Sequence, residues 1–171
     1  MERRLRTMKR TYAAIIIAAI LSLLMIAPAD ADQTFEVPGD CEITLPDGYR
    51  VSESTPVETE FIKDDFTCVS VMADKRDLEG ISLETLGDAI LDKFEDNGIK
   101  TSNSLTEEIN GVKTLHICGH MMSDGSEMAV HLYVFKFEDC LVTLSCGCPA
   151  KIEADKIGVF RNIANSLKRK R

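Results

Sequence analysis

The chain has 171 residues, with 20 Lys and Arg against 28 Asp and Glu and a net charge of −8 at pH 7. This length predicts one domain, or one domain with a targeting segment, and excludes most multidomain enzymes. The residues after position 31 have a net charge of −11, which repels phosphate backbones, so we expect no binding to nucleic acid.

The first predicted element is a targeting segment. A basic start precedes an apolar run at 13–27, and small residues follow at Ala29 and Ala31. This order is typical of a secretory signal peptide over residues 1–31, followed by a single mature domain at 32–171. The alternative is an uncleaved membrane anchor at 13–27, although that run is shorter than the roughly 20 residues of a spanning helix. Both alternatives predict a secreted or extracytoplasmic protein whose membrane contact is confined to its N-terminal segment.

The first half of the mature chain is predicted to form short strands and one helix. The strands end at turns that contain Pro, Gly or Asp, and they lie at 34–45 (two strands), 57–62 and 66–73. A helix is predicted from its N-cap Ser82 to Asn97, because apolar residues recur between them at helical spacing.

The second half is predicted to form an antiparallel meander and a last helix. The meander strands are expected at 100–109, 112–122, 127–137 and 140–146. Asn110-Gly111 and Asp124-Gly125 are strong signals for two-residue hairpin turns. Pro149 is expected to open the last helix, and the basic tail at 168–171 to favour its dipole. The alternative role for that tail is contact with an anionic membrane surface.

The two-residue turns also predict the register of the meander. Pairing across Asp124-Gly125 sets Cys118 opposite His131, and a turn at Glu138-Asp139 sets His131 opposite Cys146. Both faces of the resulting sheet are largely apolar, so both need covering. The predicted fold class is therefore α+β, with an antiparallel β-sheet meander packed between helices as an α-β-α sandwich.

This order of elements resembles the PsbP/Mog1-like superfamily, and in particular its exported prokaryotic PsbP-related members. The motifs that resemble the family are the opening ITLPDGY, the SLETL helix start, the INGV hairpin and the closing FRNIANSL helix, within residues 35–167. The resemblance implies an α-β-α sandwich with non-enzymatic accessory, binding or assembly roles. It therefore implies a binding or accessory domain of the cell envelope, whose partner is an unknown envelope protein or component.

Catalytic motifs give no support for an enzyme. The sequence contains no phosphate loop, no His-Glu-x-x-His and no Gly-x-Ser-x-Gly. We therefore predict that the protein is not an enzyme, and no catalytic or organic-cofactor residues are assigned.

Six cysteines lie in the mature chain, at Cys41, Cys68, Cys118, Cys140, Cys146 and Cys148. In an oxidising compartment an even count favours disulfides, although the sequence does not choose among the possible pairings. Free buried thiols and metal binding are the alternatives.

One group of residues has the composition of a metal site. Alternate strand residues share a face, so His116, Cys118 and His120 project together, beside His131. The candidate metal ligands are His116, Cys118, His120, His131, Cys146 and Cys148. Zinc and copper prefer His and Cys ligands, and a tetrahedral site could use Cys118, His120, His131 and Cys146. The alternative function is therefore an extracytoplasmic metal-binding or thiol redox protein.

Overall fold

The computed structural model describes residues 32–63, 66–75 and 80–170. The predicted signal peptide at 1–31 and the alternative anchor at 13–27 lie outside these residues. Within the described part of the chain, neither helix is long and apolar enough to cross a membrane.

Ten strands and two α-helices make up the described residues. The strands are β1 (Gln33–Val37), β2 (Cys41–Leu45), β3 (Arg50–Ser54), β4 (Glu58–Ile62), β5 (Cys68–Asp74), β6 (Lys100–Ile109), β7 (Val112–Ser123), β8 (Ser126–Lys136), β9 (Leu141–Pro149) and β10 (Lys168–Arg169). The helices are α1 (Leu83–Asp96) and α2 (Glu153–Ser166), and a 3-10 turn at Ala150–Ile152 leads into α2.

The strands form two antiparallel sheets. The larger has seven strands in the order β3-β4-β5-β9-β8-β7-β6, and the smaller has the order β1-β2-β10. Consecutive strands lie side by side from β6 to β9, which confirms the predicted meander. The antiparallel α+β class is confirmed as well.

The hairpin turns have the predicted geometry. Asn110 and Gly111 have φ values of 52° and 76°, and Asp124 and Gly125 have 49° and 77°. Positive φ at both central residues is the requirement of the two-residue turn whose twist matches the flanking strands. The register that follows is also as predicted, because Cys118 pairs with His131 and His131 pairs with Cys146.

Each face of the large sheet packs into its own core. Helix α1 covers one face, where Leu83 and Phe94 pack with Leu115, Ile117 and Val134. Helix α2 and the small sheet cover the other face, in a larger core that includes Tyr133, Phe135, Leu144, Phe160 and Ile43. These two cores correspond to the two apolar faces that the predicted register separates. The predicted packing of the sheet between helices is therefore confirmed.

Two strands were not predicted, and two assignments were wrong. β3 has five exposed residues and shows no apolar alternation, but it pairs with β4. The basic tail was predicted at the C-terminal end of the last helix, whereas α2 ends at Ser166 and Lys168–Arg169 pair with β2 as β10. Pro149 is the last residue of β9, so α2 begins four residues later than predicted.

The six cysteines all lie in the described part of the chain, and all are free thiols. The disulfide favoured by their even number is not seen among these residues. Cys146 and Cys148 are two residues apart on β9, about 6.5–7 Å along the strand, which is a poor distance for a bridge. Cys41, Cys140, Cys146 and Cys148 are buried and pack in the larger core as small apolar side chains.

Candidate metal centre

The predicted cluster lies on the face of the large sheet that α2 covers. His116, Cys118 and His120 are alternate residues of β7, and β8 places His131 directly opposite Cys118. The 3-10 turn after β9 then starts α2 at Glu153, whose carboxylate reaches this face. An acidic side chain is favoured in that first helical turn, because the N-terminal end of a helix is electropositive.

Three side chains of the cluster converge on one point. Sγ of Cys118 lies 3.2 Å from Nε2 of His116 and 3.3 Å from Nδ1 of His131. The two ring nitrogens are 3.4 Å apart. Among the described residues these three side chains form a group whose ligand atoms all lie within 4.8 Å of one another. Two imidazoles and one thiol are a ligand set that suits zinc and copper.

Two carboxylates contact the outer nitrogens of these histidines. Oε1 of Glu153 lies 3.0 Å from Nε2 of His131, and its Oε2 lies 2.8 Å from Nε2 of His120. Oε1 of Glu107, on β6, lies 3.5 Å from Nδ1 of His116. An ionised carboxylate only accepts hydrogen bonds, so Nε2 of His131 and Nε2 of His120 are the donors to Glu153. The inner nitrogens of His116 and His131 face Cys118.

Aromatic rings and an arginine fix the cluster in place. The His116 ring stacks on Tyr133 with centroids 4.1 Å apart, and the His131 ring lies 5.4 Å from that of Phe160. Arg161 of α2 donates a hydrogen bond to Glu107 and pairs with its charge. His131 is buried, whereas Cys118 and His116 are partly exposed, so solvent reaches part of the group.

Burial sets the charge state of the cluster without a metal. Burial, together with the neighbouring His131, lowers the pKa of His116 to about 4. Burial, reinforced by Glu153 and Glu107, raises the pKa of the Cys118 thiol to about 11. Burial opposes ionisation of Glu153, but the hydrogen bonds from His120 and His131 prevail and lower its pKa. At neutral pH His116 is thus a neutral imidazole and Cys118 a thiol, near the ionised carboxylate of Glu153.

The other predicted ligands lie outside this group. His120 projects from the same face of the sheet, but its Nε2 contacts the carboxylate of Glu153. It therefore lies outside the group of three converging ligand atoms. Cys146 pairs with His131 in the strand register but is fully buried, and Cys148 pairs with Ala129. The structure therefore brings together His116, Cys118 and His131, and leaves both β9 cysteines in the core.

The sequence analysis missed both carboxylates. Glu107 could have been found from the Asn110-Gly111 turn, since pairing Ile109 with Val112 sets Glu107 opposite Thr114, on the face of His116. Glu153 had no comparable signal, because its position depends on how α2 packs across the sheet.

With this geometry in view, the chain can be placed among known folds as an antiparallel α+β sandwich with helices on both faces. More particularly, it has a PsbP-like fold. The solution structure of cyanobacterial PsbP (CyanoP) from Synechocystis sp. PCC 6803 matches 85% of this chain and 96% of its own, at 15% identity and a TM-score of 0.66. The family resemblance in the sequence is confirmed at the level of the fold.

Two further solved structures share this fold. A crystal structure from Bacteroides thetaiotaomicron VPI-5482 matches 81% of this chain at 14% identity and a TM-score of 0.56, although the match spans only 48% of that chain. The protein of unknown function PA94 from Pseudomonas aeruginosa matches 82% of this chain and 98% of its own, at 9% identity and a TM-score of 0.55. No protein-family model matches the sequence, and no curated protein sequence matches it.

Proposed function

We propose that this protein is an exported, non-enzymatic accessory domain that binds a protein or another component of the cell envelope. The observation that supports this proposal is the PsbP-like fold, which extends over 85% of the chain and 96% of cyanobacterial PsbP. The family resemblance implies accessory, binding or assembly roles. The signal-peptide pattern at 1–31 supports export.

Charge supports a partner with a basic surface. The mature chain, 32–171, has a net charge of −11, and much of this charge lies on exposed strand residues such as Glu36, Glu53 and Glu60. Complementary charge accelerates association and excludes like-charged partners, and its effect weakens as salt screens it. We therefore expect the complex to dissociate as ionic strength rises.

The test uses the full chain in its own cells. Intact cells are treated with a crosslinker, and the tagged chain is purified under denaturing conditions and analysed by mass spectrometry. The proposal predicts one dominant adduct, protection from cytoplasmic labelling reagents and loss of the adduct in high salt. A chain that stays cytoplasmic, or one that turns over a substrate without any adduct, would contradict the proposal. A variant with Ala29→Lys and Ala31→Lys is the matched control for cleavage, and it should keep its full mass.

A second candidate function is extracytoplasmic metal binding, with zinc or copper as the metal. The observation that favours it is the convergence of His116, Cys118 and His131 within hydrogen-bond distances. The thiol redox alternative is less well supported, because a reactive thiol needs a lowered pKa whereas burial raises that of Cys118 to about 11.

A further inference from the structure

The cluster holds three potential ligand atoms around one centre. The inner nitrogens of His116 and His131 face the Cys118 sulfur at 3.2 and 3.3 Å, and their outer nitrogens face the carboxylates of Glu107 and Glu153. The Cys118 thiol can donate its proton to only one of the two inner nitrogens. The two inner nitrogens lie 3.4 Å apart, so both are within reach of the same centre. A cation at the centre would satisfy all three atoms at once.

The spacing of the three atoms is closer to that of a tetrahedral metal site than to that of a flat one. Zinc bonds of about 2.0–2.1 Å to nitrogen and 2.3 Å to sulfur give tetrahedral edges of about 3.3 Å between nitrogens and 3.6 Å between nitrogen and sulfur. The observed separations are 3.4 Å between the nitrogens and 3.2 and 3.3 Å to sulfur. A flat three-coordinate site with the same bonds would spread them to about 3.6 and 3.8 Å. The triangle is thus closer to three corners of a tetrahedron.

We propose that Nε2 of His116, Sγ of Cys118 and Nδ1 of His131 bind one zinc ion, and that water occupies the fourth position. This inference rests on the second candidate function, metal binding, and it names the ligands and the ion. The fourth position is accessible to water because His116 and Cys118 are partly exposed. Three protein ligands with one open position are the usual arrangement of zinc sites that interact with a further molecule.

Glu107 and Glu153 are positioning residues for this site. Histidines that bind metals almost always donate their second N–H to a carboxylate or carbonyl, which fixes the ring and its tautomer. Nε2 of His131 has such a partner in Glu153 at 3.0 Å, and Nδ1 of His116 faces Glu107 at 3.5 Å. Glu153 is itself held by His120, and Glu107 by Arg161.

The test is a metal titration of the full chain. The protein is purified anaerobically in detergent, stripped with a chelator and titrated with Zn²⁺ against a chromophoric competitor. We expect one zinc ion per chain. Co²⁺ in the same protein should show the strong visible absorption of a four-coordinate ion and a thiolate-to-cobalt charge-transfer band.

Two variants test the assigned site, and a third is the control. Cys118→Ser is nearly isosteric, and it should remove the charge-transfer band and most of the zinc affinity. Glu107→Gln should weaken binding about 10- to 100-fold while keeping the band, as expected for a carboxylate that orients a ligating histidine. Cys68→Ser is the matched control, because it removes an exposed thiol outside the cluster. Circular dichroism establishes that each variant is folded.

The outcomes separate failure of metal binding itself from failure of the assigned site. A folded wild-type chain that binds no stoichiometric metal would end the metal-binding candidate itself. Stoichiometric zinc that Cys118→Ser leaves unchanged would overturn the ligand assignment while metal binding stands. A six-coordinate cobalt spectrum without a charge-transfer band would overturn the tetrahedral thiolate site.

Discussion

Sγ of Cys118 lies 3.3 Å from Nδ1 of His131, and the two residues face each other directly across β7 and β8. This pairing is set at the Asp124-Gly125 turn, where Ser123 pairs with Ser126. A slip of one residue would send His131 to the opposite face of the sheet, because side chains alternate along a strand. The candidate metal centre therefore depends on a turn at the far end of the hairpin.

Gly125→Val should destabilise the protein by roughly 1–3 kcal/mol, because Gly125 has a φ of 77° that a β-branched residue adopts only under strain. Space is not the cause, since no heavy atom of the described residues, chain neighbours aside, lies within 4 Å of the position where a Cβ would be. The midpoint of chemical denaturation measures the effect. An unchanged midpoint would show that the backbone does not need this conformation.

The control for that experiment is Gly158→Ala. Gly158 lies in α2 and lacks a positive φ. In the part of the chain that the structure describes, no heavy atom outside its own helical backbone and chain neighbours lies within 4 Å of where its Cβ would stand. Alanine should raise the stability by about 0.5–1 kcal/mol, because glycine loses more backbone entropy when it enters a helix. A lower midpoint for this variant would imply a close neighbour that the structure does not show.

Gly119→Ala tests the close approach of β6 to β7. A Cβ on Gly119 would lie 2.8 Å from Cγ2 of Ile99 and 3.0 Å from the carbonyl oxygen of Lys100. Since backbone must move to relieve the second contact, we expect a loss of roughly 1–3 kcal/mol in the free energy of unfolding. Urea denaturation monitored by circular dichroism reports this loss. Stability equal to wild type would place the start of β6 further from β7.

Ser82→Ala tests the start of α1. The Ser82 hydroxyl accepts a hydrogen bond from the backbone N–H of Thr85 at 3.0 Å, which satisfies a donor that has no partner within the helix. Its loss should cost about 1 kcal/mol. Ser82→Asp should retain most of the stability, because aspartate caps equally well. If both variants lost the same amount, the capping bond would not be the cause.

Arg169, in the tail strand β10, makes a contact with Asp139 whose contribution to stability should depend on pH. The Arg169 guanidinium lowers the pKa of Asp139, mainly through its hydrogen bonds. A lowered carboxyl pKa stabilises the fold above the ordinary carboxyl range, and this contribution disappears as the pH falls through the lowered value. NMR titration should show the Asp139 pKa rising in Arg169→Gln but not in the control Lys168→Gln. An equal pKa in wild type and Arg169→Gln would remove the basis for this contact.

Local sequence signals predicted the meander, because each hairpin joins neighbouring strands through a turn whose residues are readable. Asp124-Gly125 fixed the pairing of Cys118 with His131, and hence the proximity of three of the six candidate ligands. The small β10 strand had no such signal. Its two residues form a strand only because β2, from the other end of the domain, lies beside them.

The candidate site likewise contains residues that a local sequence signal places and residues that it does not. The strand residues His116, Cys118 and His131 follow from register, which is local information. Glu153 depends on how α2 crosses the sheet, and this is determined by packing between Phe160, Ile163 and the residues of both sheets. The β9 cysteines were placed on the correct face, but the sequence did not show that the core would enclose them.

The pairing of both β1 and β10 with β2 has a consequence for re-engineering the chain. The first and last described strands run parallel within one small sheet, so the ends of the domain are on the order of 20 Å apart. A linker of roughly eight residues would span that gap and allow a circular permutant. New termini could then be opened at Asn110-Gly111, which would separate β6 from β7 in sequence while β7, β8 and their histidines remain one continuous hairpin.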